Sequence, residues 1–324
     1  MRTPLAGVAL AISLVALPVA GAVAQAYPAR PIRVVVPFPP GGTSDIIGRT
    51  LGQKLSEAWK QPVIMDNRAG VAGSIGAAIA AKSPPDGYTL LVGNVGPVAI
   101  NNQIYKAIDY DSLKDFTPIT LAVTAPQIVV VHPSVPAKTF KEFNALVKQH
   151  RGKINYGSSG PGSISHLSAE LYKLMTKQDM LHVPFKGSAL ITIALLSGEV
   201  DVVFSDMAVV LPHVQANRLR ALAVTGLKPT PLVPGVPTVS DSGVPGFNMT
   251  SWWGMFGPAG MPQPIVTQLN TELTRILRTP EVQKTFATLG VDAATSTPEE
   301  LGALVKSEVP KYAKLIQEIG IPKQ

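Results

Sequence analysis

Three segments of the chain combine glycine with hydroxyl side chains in the manner of an anion site. Pro37-Phe38-Pro39-Pro40-Gly41-Gly42-Thr43-Ser44-Asp45 leaves a β-branched run and enters a helical pattern, so the N–H groups of the glycines and Thr43 are free to face a ligand. Gly157-Ser158-Ser159-Gly160-Pro161-Gly162-Ser163-Ile164-Ser165-His166 repeats the arrangement and adds hydroxyls to the backbone donors. Gly93-Asn94-Val95-Gly96 is a third, smaller set. Glycine lets a ligand approach the backbone closely. The candidate ligand contacts are therefore Phe38, Pro40, Gly41, Gly42, Thr43, Asp45, Asn94, Ser158, Ser159, Ser163 and His166, with Lys186 and Asp206 further along.

Each candidate also has a plainer reading. Ser and Thr cap helices wherever helices start, and Asp45 could merely favour a helix N-terminus. His166 could be a surface histidine, Lys186 a solvated cation and Asp206 a turn residue. The functional reading gains weight because two such loops fall in separate halves of one chain, where a cleft would bring them face to face.

Other chemistries find less support. Ala72-Gly73-Ser74-Ile75-Gly76 nearly spells the Gly-x-Ser-x-Gly elbow of a serine hydrolase, but Asp66 to Gly70 before it is no strand leading into the turn. The histidines stand at 132, 150, 166, 182 and 213 without a distinctive acid partner. No His/Asp/Glu set has metal-ligand spacing, no cofactor fingerprint occurs, and Cys is 0, which excludes thiolate chemistry and disulfides. The expectation is a binding protein with no catalytic residues, metal or cofactor.

The elements that must position these loops follow from hydrophobic periodicity. Ile32 to Val36 reads as a buried parallel strand, followed by an amphipathic helix from Thr43 to Trp59. Val63 to Met65 and an Ala-rich helix to Lys82 repeat the unit, and Tyr88 to Val92 starts another. After the strand Ile128 to Val131 the rhythm restarts: helix Thr139 to Gln149, strand Ile154 to Tyr156, helix Ser163 to Met175, turn and strand Gly198 to Phe204, strand Leu219 to Val224. Pro229 to Pro245 is aperiodic, and helices Gln263 to Leu277 and Pro298 to Ile319 close the chain. This predicts an α/β protein of mostly parallel sheets flanked by helices, with one domain from 27–125 plus 228–324 and a second from 126–227.

Composition sets the remaining bounds. The 324 residues carry a net charge of +7, but charged residues are only 15% and form no basic stripe, so nucleic acid is excluded as a partner. Residues 1–26 read as a signal peptide: Arg2, an apolar stretch Leu5 to Ala20 and the small residues of Ala24-Gln25-Ala26, with cleavage before Tyr27. Pro18 and Gly21 interrupt that stretch short of the ~20 residues a membrane span needs. A cysteine-free exported chain points to a bacterial periplasm.

Asn155 to Ser163 with His166-Leu167 resembles the tripartite tricarboxylate transporter receptor family, also called the Bordetella uptake gene solute receptors. So do Val36 to Gly42, Asn67-Arg68, Pro85 to Leu91, His182 to Gly187, Leu219 to Thr225 and Pro258-Ala259-Gly260. The resemblance implies a monomeric periplasmic solute-binding protein whose two α/β domains, joined by crossover strands, close on a small organic acid. It implies delivery of that acid unchanged to one large and one small membrane subunit; a rival class, an adaptor that presents its ligand to a signalling receptor, has the same pocket and is not separated from it by sequence. The family's two carboxylate-holding loops match Phe38 to Asp45 and Ser158 to His166. Ser74 replaces a frequent Asn and Phe185 a frequent Tyr, so no relative's ligand carries over. Phe38 could flank either an aliphatic chain or a ring.

Overall fold

The computed structural model describes residues 27–323, so the leader expected over 1–26 lies outside the described residues. The first half runs β1 (Ile32–Val36), α1 (Thr43–Trp59), β2 (Val63–Asn67), α2 (Ser74–Ala81), β3 (Thr89–Asn94) and α3 (Asn101–Ile104). The 16-residue β4 (Phe116–Val131) follows. Then come α4 (Phe140–Gln149), β5 (Asn155–Ser158), α5 (Ile164–Thr176), β6 (Leu181–Pro184), α6 (Ser188–Ser197), β7 (Val202–Asp206), α7 (Met207–Gln215) and β8 (Arg220–Val224). The chain returns through β9 (Thr250–Pro258) and ends with α8 (Gln263–Leu277), α9 (Pro280–Thr288), β10 (Asp292–Ala293) and α10 (Pro298–Ile319).

One curled sheet orders the strands β2-β1-β3-β9-β4-β7-β5-β6, with β8 and β10 also paired to β4. The parallel pairs expected from strand–helix alternation occupy the flanks: β1 with β2 and β3, β5 with β6 and β7. The middle is antiparallel, because β4 carries the chain out of the first lobe and β9 brings it back. Phe116–Pro126 of β4 pair with β9, whereas Gln127–Val131 pair with β7 and β8. The division expected at 125/126 thus lies inside a continuous strand.

Residues 228–249, grouped with the first domain by their sequence position, lie against the second lobe. Val239 N–H donates to Val224 O, Met249 N–H donates to Thr225 O, and the Phe247 ring centroid is 6.1 Å from that of Phe204. A hydrophobic run with no period can still bury its apolar residues against a neighbouring sheet.

Separate apolar clusters fill the outer parts of the lobes, one around Ile32, Leu51 and Leu269, the other around Ile128, Leu195 and Val210. A third cluster is shared by both, joining Val35 and Leu91 to Phe140, Tyr172 and Phe204. Leu301, Val305 and Tyr312 of α10 belong to it, so the last helix braces both lobes. Its start follows the sequence: Thr297 Oγ1 accepts from Glu300 N–H while the Glu300 carboxylate accepts from Thr297 N–H.

Candidate functional site

β1, β3, β5, β6 and β7 all end at one crevice between the lobes, and each is followed by a helix or helical turn whose N-terminus faces it. An inner chamber there leaves only about 20 Å³ for the centres of water-sized molecules. Phe38, Thr43 and Ser44 form its wall on the β1 side, with Ala72, Asn94 and Gly96 beside them. Ser159, Ser163, Ile164, Ser188 and Asp206 form the wall from the second lobe. The backbone at Ser44, Ile164 and Ser188 belongs to the first turns of α1, α5 and α6, where N–H groups lack helical partners and the dipoles favour negative charge.

The first loop is held from behind. Gly42 caps α1 in an extended conformation without a side-chain bond, and Asp45 N–H, in the first turn, donates back to Gly42 O at 3.0 Å. Asp45 Oδ2 accepts from Gly41 N–H and Arg49 Nε, each at 2.9 Å, and Oδ1 accepts from Asn67 Nδ2 at 3.0 Å. Burial opposes the charge, but these hydrogen bonds from Arg49, Gly41 and Asn67 outweigh it and hold the Asp45 carboxyl below the usual carboxylate range. Asp45, Pro40, Gly41 and Gly42 shape the loop and do not line the chamber.

Hydroxyls knit the second loop to itself. Ser159 N–H donates to Ser165 Oγ at 3.0 Å, Ser163 Oγ donates to Gly160 O at 2.7 Å, and His166 N–H donates to Ser163 Oγ at 3.3 Å. Ser159 and Ser163 reach the chamber. Ser158 does not: fully buried at the end of β5, its Oγ lies 2.6 Å from His182 Nε2 and accepts from Gly160 N–H at 3.2 Å. His166 is buried too and not the surface histidine of the plainer reading; its Nδ1 accepts from Gly162 N–H at 3.2 Å. Tyr156, His182 and His166 stack at centroid separations of 4.8 and 4.3 Å. Burial, more than any neighbouring charge, pushes His166 down to about 3 and His182 to about 4, so both rings stay neutral.

Asp206 is the ionisable group lining the chamber. Thr43 Oγ1 donates to its Oδ2 at 3.1 Å from across the crevice, and Ser251 Oγ donates to Oδ1 at 3.4 Å. Burial raises its pKa to about 6, against the hydrogen bonds from Thr43, Ser251 and Gln127. Thr43 N–H also reaches Ser188 Oγ at 3.4 Å, so one residue bridges the lobes twice. Asn94 Oδ1 is buried without a partner among the described residues. Exposed Lys186 lies outside the chamber, at the crevice mouth.

Sequence reasoning places Ser44, Gly96 and Ile164 in the candidate loops without singling them out, and misses Ala72 and Ser188. A signal for Ser188 existed in Gly187-Ser188, a glycine–hydroxyl pair before an apolar run, but that run shows no amphipathic period because α6 is apolar nearly all round. Ser74, the centre of the near-elbow, has no histidine beside it; its Oγ accepts from Asn101 Nδ2 at 2.7 Å.

A family model described as "Tripartite tricarboxylate transporter family receptor" matches residues 47–321. The UPF0065 protein in the tcbD-tcbE intergenic region of Pseudomonas sp. (strain P51) is 39% identical over 98% of this chain and 94% of its own. The solved structure of R. palustris Rpa4515 with adipate superposes with a TM-score of 0.90 at 34% identity, covering 92% of this chain and all of that one (100%). Periplasmic binding protein BugD gives 0.88 at 33% identity over 92% of this chain and 100% of its own. MatC from Rhodopseudomonas palustris with bound malate gives 0.85 at 31% identity over 90% and 100%.

Proposed function

Because this chain belongs to the tripartite tricarboxylate transporter receptor family, we propose that it is a periplasmic receptor that closes its two lobes on a small organic carboxylate. The observation that carries this reading is the inner chamber, walled by helix-start donors and hydroxyls from both lobes and lined by no cation. A carboxylate there gains charge-assisted hydrogen bonds without desolvating a buried Lys or Arg. The bound adipate and malate of the two neighbours are of that chemical class.

Ser44, Ser159 and Ser188 hold the carboxylate, while Asn94 and Asp206 accept from any hydroxyl the ligand bears next to it. Neither the hydroxyls nor the histidines form a nucleophile–base pair open to the crevice, so the ligand leaves unchanged. The lobes pivot at the β4–β9 crossing, and the loaded monomer docks on the large and small membrane subunits that give the family its name.

Isothermal titration calorimetry with adipate, malate, a sugar and a cationic amine tests this. At least one acid should bind, the sugar and amine should not, and Ser188→Ala should weaken the acid three- to tenfold, about 1 kcal/mol. Mass spectrometry of the recovered acid should find its mass unaltered; silence from every carboxylate, or a protein-dependent mass change, overturns the reading.

A further inference from the structure

Phe38 separates the inner chamber from a second, larger cavity of about 270 Å³ at the mouth of the crevice. Two glycines flank the segment that carries the ring, one from each lobe. A Cβ on Gly73 would stand 3.0 Å from Phe38 Cζ, and one on Gly187 3.0 Å from Pro39 Cδ and 4.0 Å from Phe38 Cδ1. Both glycines have positive φ, 93° and 124°, so the backbone as well as the space asks for glycine. Phe38, Ala72 and Ser159 line both cavities, which makes them adjoining rooms with a shared aromatic wall.

The two rooms differ in chemistry. The inner one brings hydroxyls, Asn94 and Asp206 to its wall. Phe38, Tyr105, Pro161, Pro184 and Phe185 give the outer one flat apolar faces, and Tyr105 spends its hydroxyl on Pro161 O at 2.5 Å. Lys186 is the cation lining this cavity. It is exposed, and none of the ion pairs among the described residues includes it.

We propose that the outer cavity seats an aromatic ring and that Lys186 meets an anionic group on the ring's far side. The preferred ligands are then aromatic dicarboxylates with the two carboxylates at opposite ends. This rests on the reading that the inner chamber takes a carboxylate. A rigid ring covers aromatic and proline faces without freezing rotatable bonds, whereas a flexible chain of similar length must give up several torsions to lie across them. Edge and offset contacts with Phe38, Phe185 and Tyr105 add attraction that an aliphatic chain lacks.

Calorimetry with benzene-1,4-dicarboxylate, benzoate and adipate tests the proposal on the full protein. Benzene-1,4-dicarboxylate should bind at least tenfold more tightly than either of the others. Lys186→Gln should weaken the dicarboxylate three- to tenfold, more at low salt than at high, and benzoate less than twofold. Phe38→Leu should weaken both ring acids by a larger factor than adipate. Adipate or benzoate matching the aromatic dicarboxylate, or Lys186→Gln lowering both ring acids equally, overturns the proposal. If adipate binds and ring acids do not, the ring assignment alone falls; if no acid binds, the carboxylate reading falls with it.

Discussion

A single carboxyl group in the crevice works against two buried histidines in setting how the protein responds to acid. Asp206 is raised to about 6 in the folded chain from an ordinary 3.8, so its proton is held more tightly folded than unfolded. Its contribution to stability is therefore present below about pH 4 and is lost as pH rises through 6. His182 and His166 run the other way: lowered to about 4 and about 3, they favour the fold above pH 6.5, and that contribution is lost as pH falls towards 4. Two histidines outweigh one acid, so wild-type stability should fall between pH 6.5 and 4 in urea titrations. Asp206→Asn removes the opposing term: the variant should be about 2–3 kcal/mol more stable than wild type at pH 7.5, with the gain gone at pH 4. An equal gain at both pH values would show that titration of Asp206 is not its source. The same residue-by-residue view revises the expectation for the serines. Ser158→Ala leaves His182 Nε2 and Gly160 N–H unpartnered, so it should cost about 1–3 kcal/mol of stability and move affinity little, in contrast to Ser188→Ala.

At the scale of elements, how closely a helix can lie on the sheet is decided by a few small residues. A Cβ at Gly76 in α2 would meet Pro37 Cα at 2.7 Å and Arg68 O at 2.8 Å, both backbone atoms that cannot swing aside. Gly76→Ala should cost about 1–3 kcal/mol and shift α2 off β1, which thermal unfolding will detect as a lowered Tm. The elements that sequence reading finds have clear start and stop signals. α1, α8 and α10 match the stretches expected for them because their apolar residues repeat on one face, and β1 because its short β-branched run stops at Pro37. β4 is legible only over Ile128 to Val131. Its first part carries Pro118 and Pro126 and two register shifts, which break the pattern although both prolines stay in register opposite β9 residues. β9 itself, with Trp252 and Trp253 flanked by Gly254 and Gly257, is buried on nearly every residue and so has no alternation to read. Of the site, the two Gly–Ser loops stand out in sequence because they break that periodicity. Which of their side chains face the crevice does not: Ser158 and Ser159 are adjacent, but Ser158 ends β5 facing inward and Ser159 stands past the strand end in the turn that lines the chamber.

For the whole molecule, closure depends on how the two crossing strands are tied. Thr225 sits where they meet: Gln127 N–H donates to its Oγ1 at 2.7 Å, and that hydroxyl donates to Met249 O at 2.6 Å. Thr225→Val keeps the shape and removes both bonds, so it should destabilise the protein by about 2–4 kcal/mol and widen the spread of lobe separations in small-angle scattering without ligand. The route of closure is fixed more tightly than two linkers would imply. β4 and β9 are hydrogen-bonded to each other from Phe116–Pro258 to Pro126–Thr250, so the lobes are joined by a ribbon and not by two independent tethers. A hydrogen-bonded ribbon bends readily across its face and resists shear within its plane. The proposed closure should therefore run along a single angular coordinate, like a door on one long plate. One label-to-label distance across the crevice then describes the full trajectory, and its relaxation after a ligand jump should be a single exponential.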